Sequence, residues 1–204
     1  MLPGAHLAPS DFAANGFLDA LRVQHAAVDA IAVGLHPDDY LDGQIAVRLH
    51  EAVIRPEMLR GYQRLWLLGI SLGGMGALLH TRAYPGTVDG LILLAPFLAT
   101  RGTIAEVAEA GGLGAWEPGP LTATDIERGL LNWLKSRPFL PGRRPELLLG
   151  HGATDRYANA SRLLYDHAEP GKVVVTDGGH DWPTWTSLWR RLLNLAPFGT
   201  PPRE

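Results

Sequence analysis

The sequence has no cysteine and only three methionines among its 204 residues. Disulfides, thiolate catalysis and cysteine-ligated metals are therefore excluded. Charge is sparse as well. Charged residues make up 19% of the chain, the net charge is −3 and the pI is near 6.2. Such a chain carries no electrostatic footprint for nucleic acid or for an anionic membrane surface. No run reaches the roughly 18 uninterrupted apolar residues of a membrane span. Residues Met1 to Ser10 lack both the basic start and the apolar core of a secretory signal. These absences leave a soluble, cytoplasmic enzyme acting on a small molecule as the expectation.

What is present is a hydrophobic content of 46%, enough at this length for one domain over residues 1–204 with a substantial core. The chain has no internal repeat and no dividing linker. Short apolar runs alternate with segments of helical period. The runs are Val28–Leu35, Leu65–Ile70, Gly90–Ala95, Glu146–Gly150 and Lys172–Thr176. Each is brief and rich in Leu, Ile or Val, as a strand buried on both faces should be. Between them, Ser10 to about Gln24 and Gln44–Leu59 place apolar residues on one side at helical spacing. Thr103–Glu106 and Thr124–Glu127 fit the capping box, and a last helix starts near Asp181. This rhythm predicts an α/β fold: a mainly parallel sheet of about six strands with helices on both faces. Residues 96–121, rich in Gly and Pro, break the rhythm and read as an irregular pocket wall or short lid.

Gly69-Ile-Ser71-Leu-Gly73 is a G-x-S-x-G pentapeptide whose context matters more than its letters. It follows an apolar strand at once and opens a small-residue segment that runs on as a helix until Pro85-Gly86. A strand-to-helix turn this tight needs small residues on both sides of the serine. It lifts the Ser71 hydroxyl above the carboxyl ends of the strands, where open α/β sheets bind ligands. It also leaves the Leu72 N–H at a helix N-terminus, aimed where an oxyanion would form.

A serine hydroxyl needs a base, and the base needs an orienting acid. Behind such an elbow the chain order should be Ser, acid, His, each at a later strand end. After Glu146–Gly150 comes His-Gly-Ala-Thr-Asp155, and after Lys172–Thr176 comes Asp-Gly-Gly-His180. His180 is the candidate base and Asp155 the candidate acid. Asp177 and Asp181 lie closer to His180 in sequence, but Asp181 reads as a helix N-cap ahead of Pro183 and Asp177 as a turn residue. His151, on the Asp155 loop, reads as a supporting residue. The second oxyanion donor is expected from Leu2-Pro-Gly-Ala-His6, through the Ala5 N–H.

Gly-Ile-Ser-Leu-Gly-Gly, the Asp155 loop and Gly-Gly-His-Asp-Trp together resemble the α/β-hydrolase superfamily, in particular its small esterase-type members with little or no cap domain. The likeness covers nearly the whole chain from about residue 2. It implies carboxylester hydrolysis through an acyl-enzyme, with no metal and no cofactor. Thioesterase, amidase or acyltransferase chemistry on the same residues stands as the alternative, as does a non-catalytic ligand-binding role. Phe97, Trp116 and Trp182 are the candidate substrate-binding walls. No cluster of Arg or Lys near the motifs suggests an anionic substrate. The superfamily usually has two further strands ahead of the oxyanion turn, which here falls at residues 3–6. Val28–Leu35 would then be an apolar sheet edge, covered by self-association into a homo-oligomer or by a folded-back terminal segment.

Overall fold

Four of the five apolar runs become strands, because each is flanked by turn residues and followed by a segment long enough to cross back over the sheet. The structure, a computed structural model, describes residues 1–34, 36, 38–41, 43–140 and 142–199. Ahead of the sheet come α1 (Ser10–Ala14), α2 (Phe17–Val23) and α3 (Asp38–Leu41). A continuous helical stretch follows, formed by α4 (Ile45–Leu49), a π-helical turn (His50–Ile54) and α5 (Arg55–Leu59). Then come β1 (Trp66–Ile70), α6 (Leu72–Ala83), β2 (Gly90–Leu94), α7 (Arg101–Glu109), α8 (Ile126–Lys135) and β3 (Glu146–Gly152). The chain continues through α9 (Ala158–Arg162), a 3₁₀ turn (Tyr165–His167), β4 (Val173–Thr176) and α10 (Trp182–Leu193).

The strands lie in the order β1-β2-β3-β4, all parallel, with Trp66 opposite Gly90 and Gly90 opposite Glu146. Alternation along each strand divides the core in two. Leu67, Leu91, Leu93, Leu147 and Leu149 pack under α4, α6 and α8. Leu68, Ile70, Ile92, Leu94, Leu148 and Val174 pack under α1, α2 and α10. On that second face Trp189 stacks on Phe17 with centroids 5.6 Å apart, and its indole N–H donates to the Phe17 carbonyl at 3.0 Å. Truncating a tryptophan buried this way costs about 3–5 kcal/mol.

Several expectations need correction. The sheet has four strands among the described residues, not six. Val28–Gly34 is not a strand, and Leu35 lies outside the described residues. Instead Leu2 takes the outer side of β1: its N–H donates to the Leu68 carbonyl at 2.7 Å and its carbonyl accepts from Ile70 at 3.1 Å. Beyond it, the Met1 amino group donates to the Ile31 carbonyl at 2.7 Å, and the Val33 N–H donates to the Met1 carbonyl at 3.0 Å. Pro3 has no N–H to carry that ladder forward, so pairing stops after one residue. Without a ladder over residues 28–34, the geometric ground for a homo-oligomer built on that edge is gone.

The predicted helix from Ser10 to Gln24 is two helices, broken where Gly16 turns left-handed (φ 76°). Neither capping box forms. Thr103 lies inside α7 behind the N-cap Thr100, and Glu106 pairs with Arg128. The Glu127 carboxylate instead accepts from the Thr100 N–H at 2.8 Å. The Asp181 cap does form, accepting from the Thr184 N–H at 3.0 Å.

One buried group makes stability depend on pH. His80, in the middle of α6, is fully buried, with Nε2 3.3 Å from His50 Nδ1 and no partner for its own Nδ1. Loss of hydration, followed by repulsion from His50, lowers its pKa from 6.5 to about 4. Above pH 6.5 the ring is neutral whether the chain is folded or not. Between 6.5 and about 4 the unfolded chain takes the proton and the folded one does not, so stability falls as pH falls. The full effect is about 3 kcal/mol, and burial of His167 acts in the same direction. Urea midpoints measured from pH 7 to pH 4.5 should fall steadily, and His80→Leu should flatten that slope.

Candidate active site

The turn between β1 and α6 is possible only because the backbone can come very close to its neighbours. A Cβ on Gly73 would sit inside the carbonyl oxygen of Leu2, and one on Gly69 would lie 2.5 Å from the Gly73 carbonyl oxygen. Both glycines of the pentapeptide are therefore dictated by packing. Between them Ser71 is held at φ 50° and ψ −115°, a conformation that non-glycine residues adopt only when their surroundings over-determine it. Those surroundings are visible. The Ser71 N–H donates to the Leu94 carbonyl at 3.0 Å, and the Ser71 carbonyl accepts from Phe97 and from Gly74, each at 2.9 Å. The result is a serine hydroxyl raised at the carboxyl end of the sheet.

Two later strand ends bring their side chains to it. His180, on the loop between β4 and α10, lies with Nε2 2.9 Å from Ser71 Oγ. Its Nδ1 is 2.8 Å from Asp155 Oδ2, on the loop after β3. The Asp155 side chain is 0% exposed and that of His180 9%. The second Asp155 oxygen accepts the Tyr157 N–H at 2.7 Å, so both oxygens of the buried carboxylate are engaged. With the carboxylate on Nδ1, that nitrogen carries the proton, and Nε2 is left with its lone pair towards the serine. The two loops are tied to each other by Thr154, whose N–H and hydroxyl both donate to the Gly178 carbonyl.

The competing carboxylates fall away. Asp177 is exposed. Asp181 is committed to Thr184, whose hydrogen bonds hold its carboxyl below the usual range. His151 is buried, with Nδ1 2.8 Å from the Gly152 carbonyl and Nε2 2.5 Å from the Tyr165 hydroxyl, which fits a supporting role in the core.

The two oxyanion candidates lie in segments beside Ser71. Leu72 is the first residue of α6, and the first N–H groups of a helix have no partner within it. A methyl group added to Gly4 would touch Ser71 Cβ at 3.3 Å, so the turn carrying Ala5 lies directly against the elbow. The three proposed substrate walls fare unequally. Phe97 is partly buried and anchored to the Ser71 carbonyl. Trp116 is only 1% exposed and belongs to the core under α8, its indole N–H donating to Glu106 at 2.9 Å. Trp182 packs edge-on against Phe12, Phe17 and Trp185, as part of the core under α10. Trp116 therefore serves packing and forms no wall, whereas Trp182 is partly exposed and packs on that core.

Two residues that sequence reasoning missed touch the site instead. The Tyr157 ring stands edge-on to His180 with centroids 4.8 Å apart, and Trp185 does the same at 5.0 Å. Tyr157 had a legible signal, since an Asp commonly accepts the N–H two residues on. A cavity of about 540 Å³, lined by Met1, Ile31, Trp66 and Phe198 among others, opens at the far end of β1 and includes none of these groups. No helix among the described residues is long and apolar enough to cross a membrane.

No protein-family description and no curated protein matches the chain. Solved structures do. It is similar to an S-formylglutathione hydrolase from Staphylococcus aureus (12% identity, 95% of this chain and 78% of that one, TM-score 0.62). It is also similar to a ferulic acid esterase (15% identity, 95% and 82%, TM-score 0.57). A fluorophosphonate-binding serine hydrolase of S. aureus aligns at 14% identity over 95% and 80%, again with TM-score 0.57. At such identities the likeness speaks for architecture, which matches the parallel sheet flanked by helices described above: the chain has the α/β-hydrolase fold.

Proposed function

We propose that the protein is a serine hydrolase that cleaves carboxylic esters through an acyl-enzyme. The observation that carries this reading is the continuous hydrogen-bonded line from Asp155 through His180 to Ser71, with separations of 2.8 and 2.9 Å. In this reading Ser71 Oγ attacks the acyl carbon while His180 Nε2 takes its proton and then delivers it to the leaving group. Asp155 stays ionised, fixing the tautomer and stabilising the imidazolium as it forms. The Leu72 N–H and the Ala5 N–H receive the oxyanion. Water then repeats the sequence on the acyl-enzyme, with His180 as base. The named activities of the structural neighbours, a ferulic acid esterase and a serine hydrolase, are of the same chemical kind. No cofactor enters this scheme. Thioester or amide substrates would use the same groups, because the choice rests on the pocket.

A fluorophosphonate probe tests the reading directly, since it reacts only with an activated serine. The wild-type protein should be labelled rapidly at Ser71, and Ser71→Ala not at all. An unlabelled wild type would mean that the site is silent and the protein a binder. Ser71→Ala and His180→Ala should each lower kcat on a short-chain aryl ester by about 10⁵–10⁶-fold while thermal unfolding stays cooperative. Asp155→Asn should cost on the order of 10³–10⁴-fold, because it presents the wrong tautomer to Ser71. Asp177→Asn should be near normal. The opposite ranking of the two aspartates would displace Asp155 from its role.

A further inference from the structure

Two arginines far apart in sequence meet beside the candidate site. Arg156 follows Asp155 on the loop after β3, and its guanidinium carbon lies 5.0 Å from the centre of the Tyr157 ring. Arg101 opens α7 after β2, and its guanidinium carbon lies 6.0 Å from the same ring. That ring is the one standing edge-on to His180, and it also meets Phe97 edge-on at 6.0 Å. Both arginines are exposed. Neither has a carboxylate within ion-pair distance among the described residues.

The arrangement runs against local electrostatics. Two like charges lie against one aromatic ring, and each raises the cost of the other. Arg101 also stands in the first turn of a helix, where the positive end of the dipole disfavours a cation. Contact with the Tyr157 ring offsets only part of that cost. An anion paired with these guanidiniums would remove the remainder. Both groups follow strand ends at the carboxyl end of the sheet, the end where Ser71 is raised, so an anion there would belong to a molecule already at the serine.

We propose that Arg101 and Arg156, stacked on Tyr157, select substrates that carry a carboxylate or phosphate a few bonds from the scissile ester. This rests on the serine hydrolase reading and adds a substrate class to it. Guanidinium is suited to the task because its planar donors match a carboxylate or phosphate in pairs. Phe97 and Tyr157 supply the apolar stretch between the reacting carbonyl and the charged end.

The test compares matched esters. Monophenyl adipate against methyl phenyl adipate places the charge on the acyl side. Phenyl butyrate bearing a 3-carboxylate, against the same ester bearing a 3-carboxamide, places it on the leaving group. In one pair, wild-type kcat/KM should favour the anionic ester by about tenfold, mainly through KM, and added salt should erode the preference. The readout is the ratio within a pair, so a general loss of activity cancels. Arg101→Gln and Arg156→Gln should each lower that ratio, and the double substitution should abolish it. A ratio near one for wild type in both pairs, or one unchanged in the double substitution, overturns the proposal. If no ester is hydrolysed and Ser71 is not labelled, it is the hydrolase reading that fails. Titration of monophenyl adipate and of the 3-carboxylate phenyl butyrate into the Ser71→Ala protein still decides the arginines' role, because binding is read without turnover: one of them should bind at least tenfold tighter than to the same protein carrying Arg101→Gln and Arg156→Gln, and equal affinity for both rejects the proposal.

Discussion

The backbone contact between the end of β1 and the first residues of the chain is the constraint on which the rest depends. Leu2 pairs with β1 at Leu68 and Ile70, and this brings its carbonyl against Gly73 with no room for a side chain between them. Phe97 and Leu94 hold the other side of the same turn. Ser71 is thus clamped by hydrogen bonds to two neighbouring segments in a conformation it would not adopt alone. The same clamp brings the Pro3–Ala5 turn beside the serine. One packing requirement therefore sets both the exposure of the hydroxyl and the place of the turn carrying Ala5.

A second requirement is that the loops after β3 and β4 cross close to each other. Thr154 ties the Asp155 loop to Gly178 on the other. Asp155 is then fully buried and engaged through both oxygens, by His180 and by the Tyr157 N–H. A carboxylate in that position cannot be replaced by a distant one, because the imidazole would lose both its orientation and the charge it faces. The Tyr157 N–H helps to set the acid, and the Tyr157 ring leans on the imidazole and carries the two guanidiniums.

Much of the site was legible in the residues. Ser71, Asp155 and His180 each follow an apolar run, and such runs become parallel strands whose carboxyl ends share one rim. The sequence pattern alone therefore places all three at the same edge. Gly69 and Gly73 flank the serine for the reason the pattern suggests, since the turn has no space for side chains. The Asp181 cap was equally local, a side chain accepting from a backbone N–H three residues on.

The rest was decided by tertiary structure. Val28–Gly34 has the composition of a strand but pairs only at Ile31 and Val33, both with Met1, and pairing is a property of two segments. Trp116 is an aromatic residue in the irregular stretch, yet its ring lies in the core, where burial of a large ring gains more than exposure in a cleft. Arg101 and Arg156 show the converse: nothing along the chain links them, and only the meeting of two loops at one tyrosine makes them neighbours. Local chemistry, read along the chain, determined which residues stand at the strand ends, whereas long-range packing decided what surrounds them.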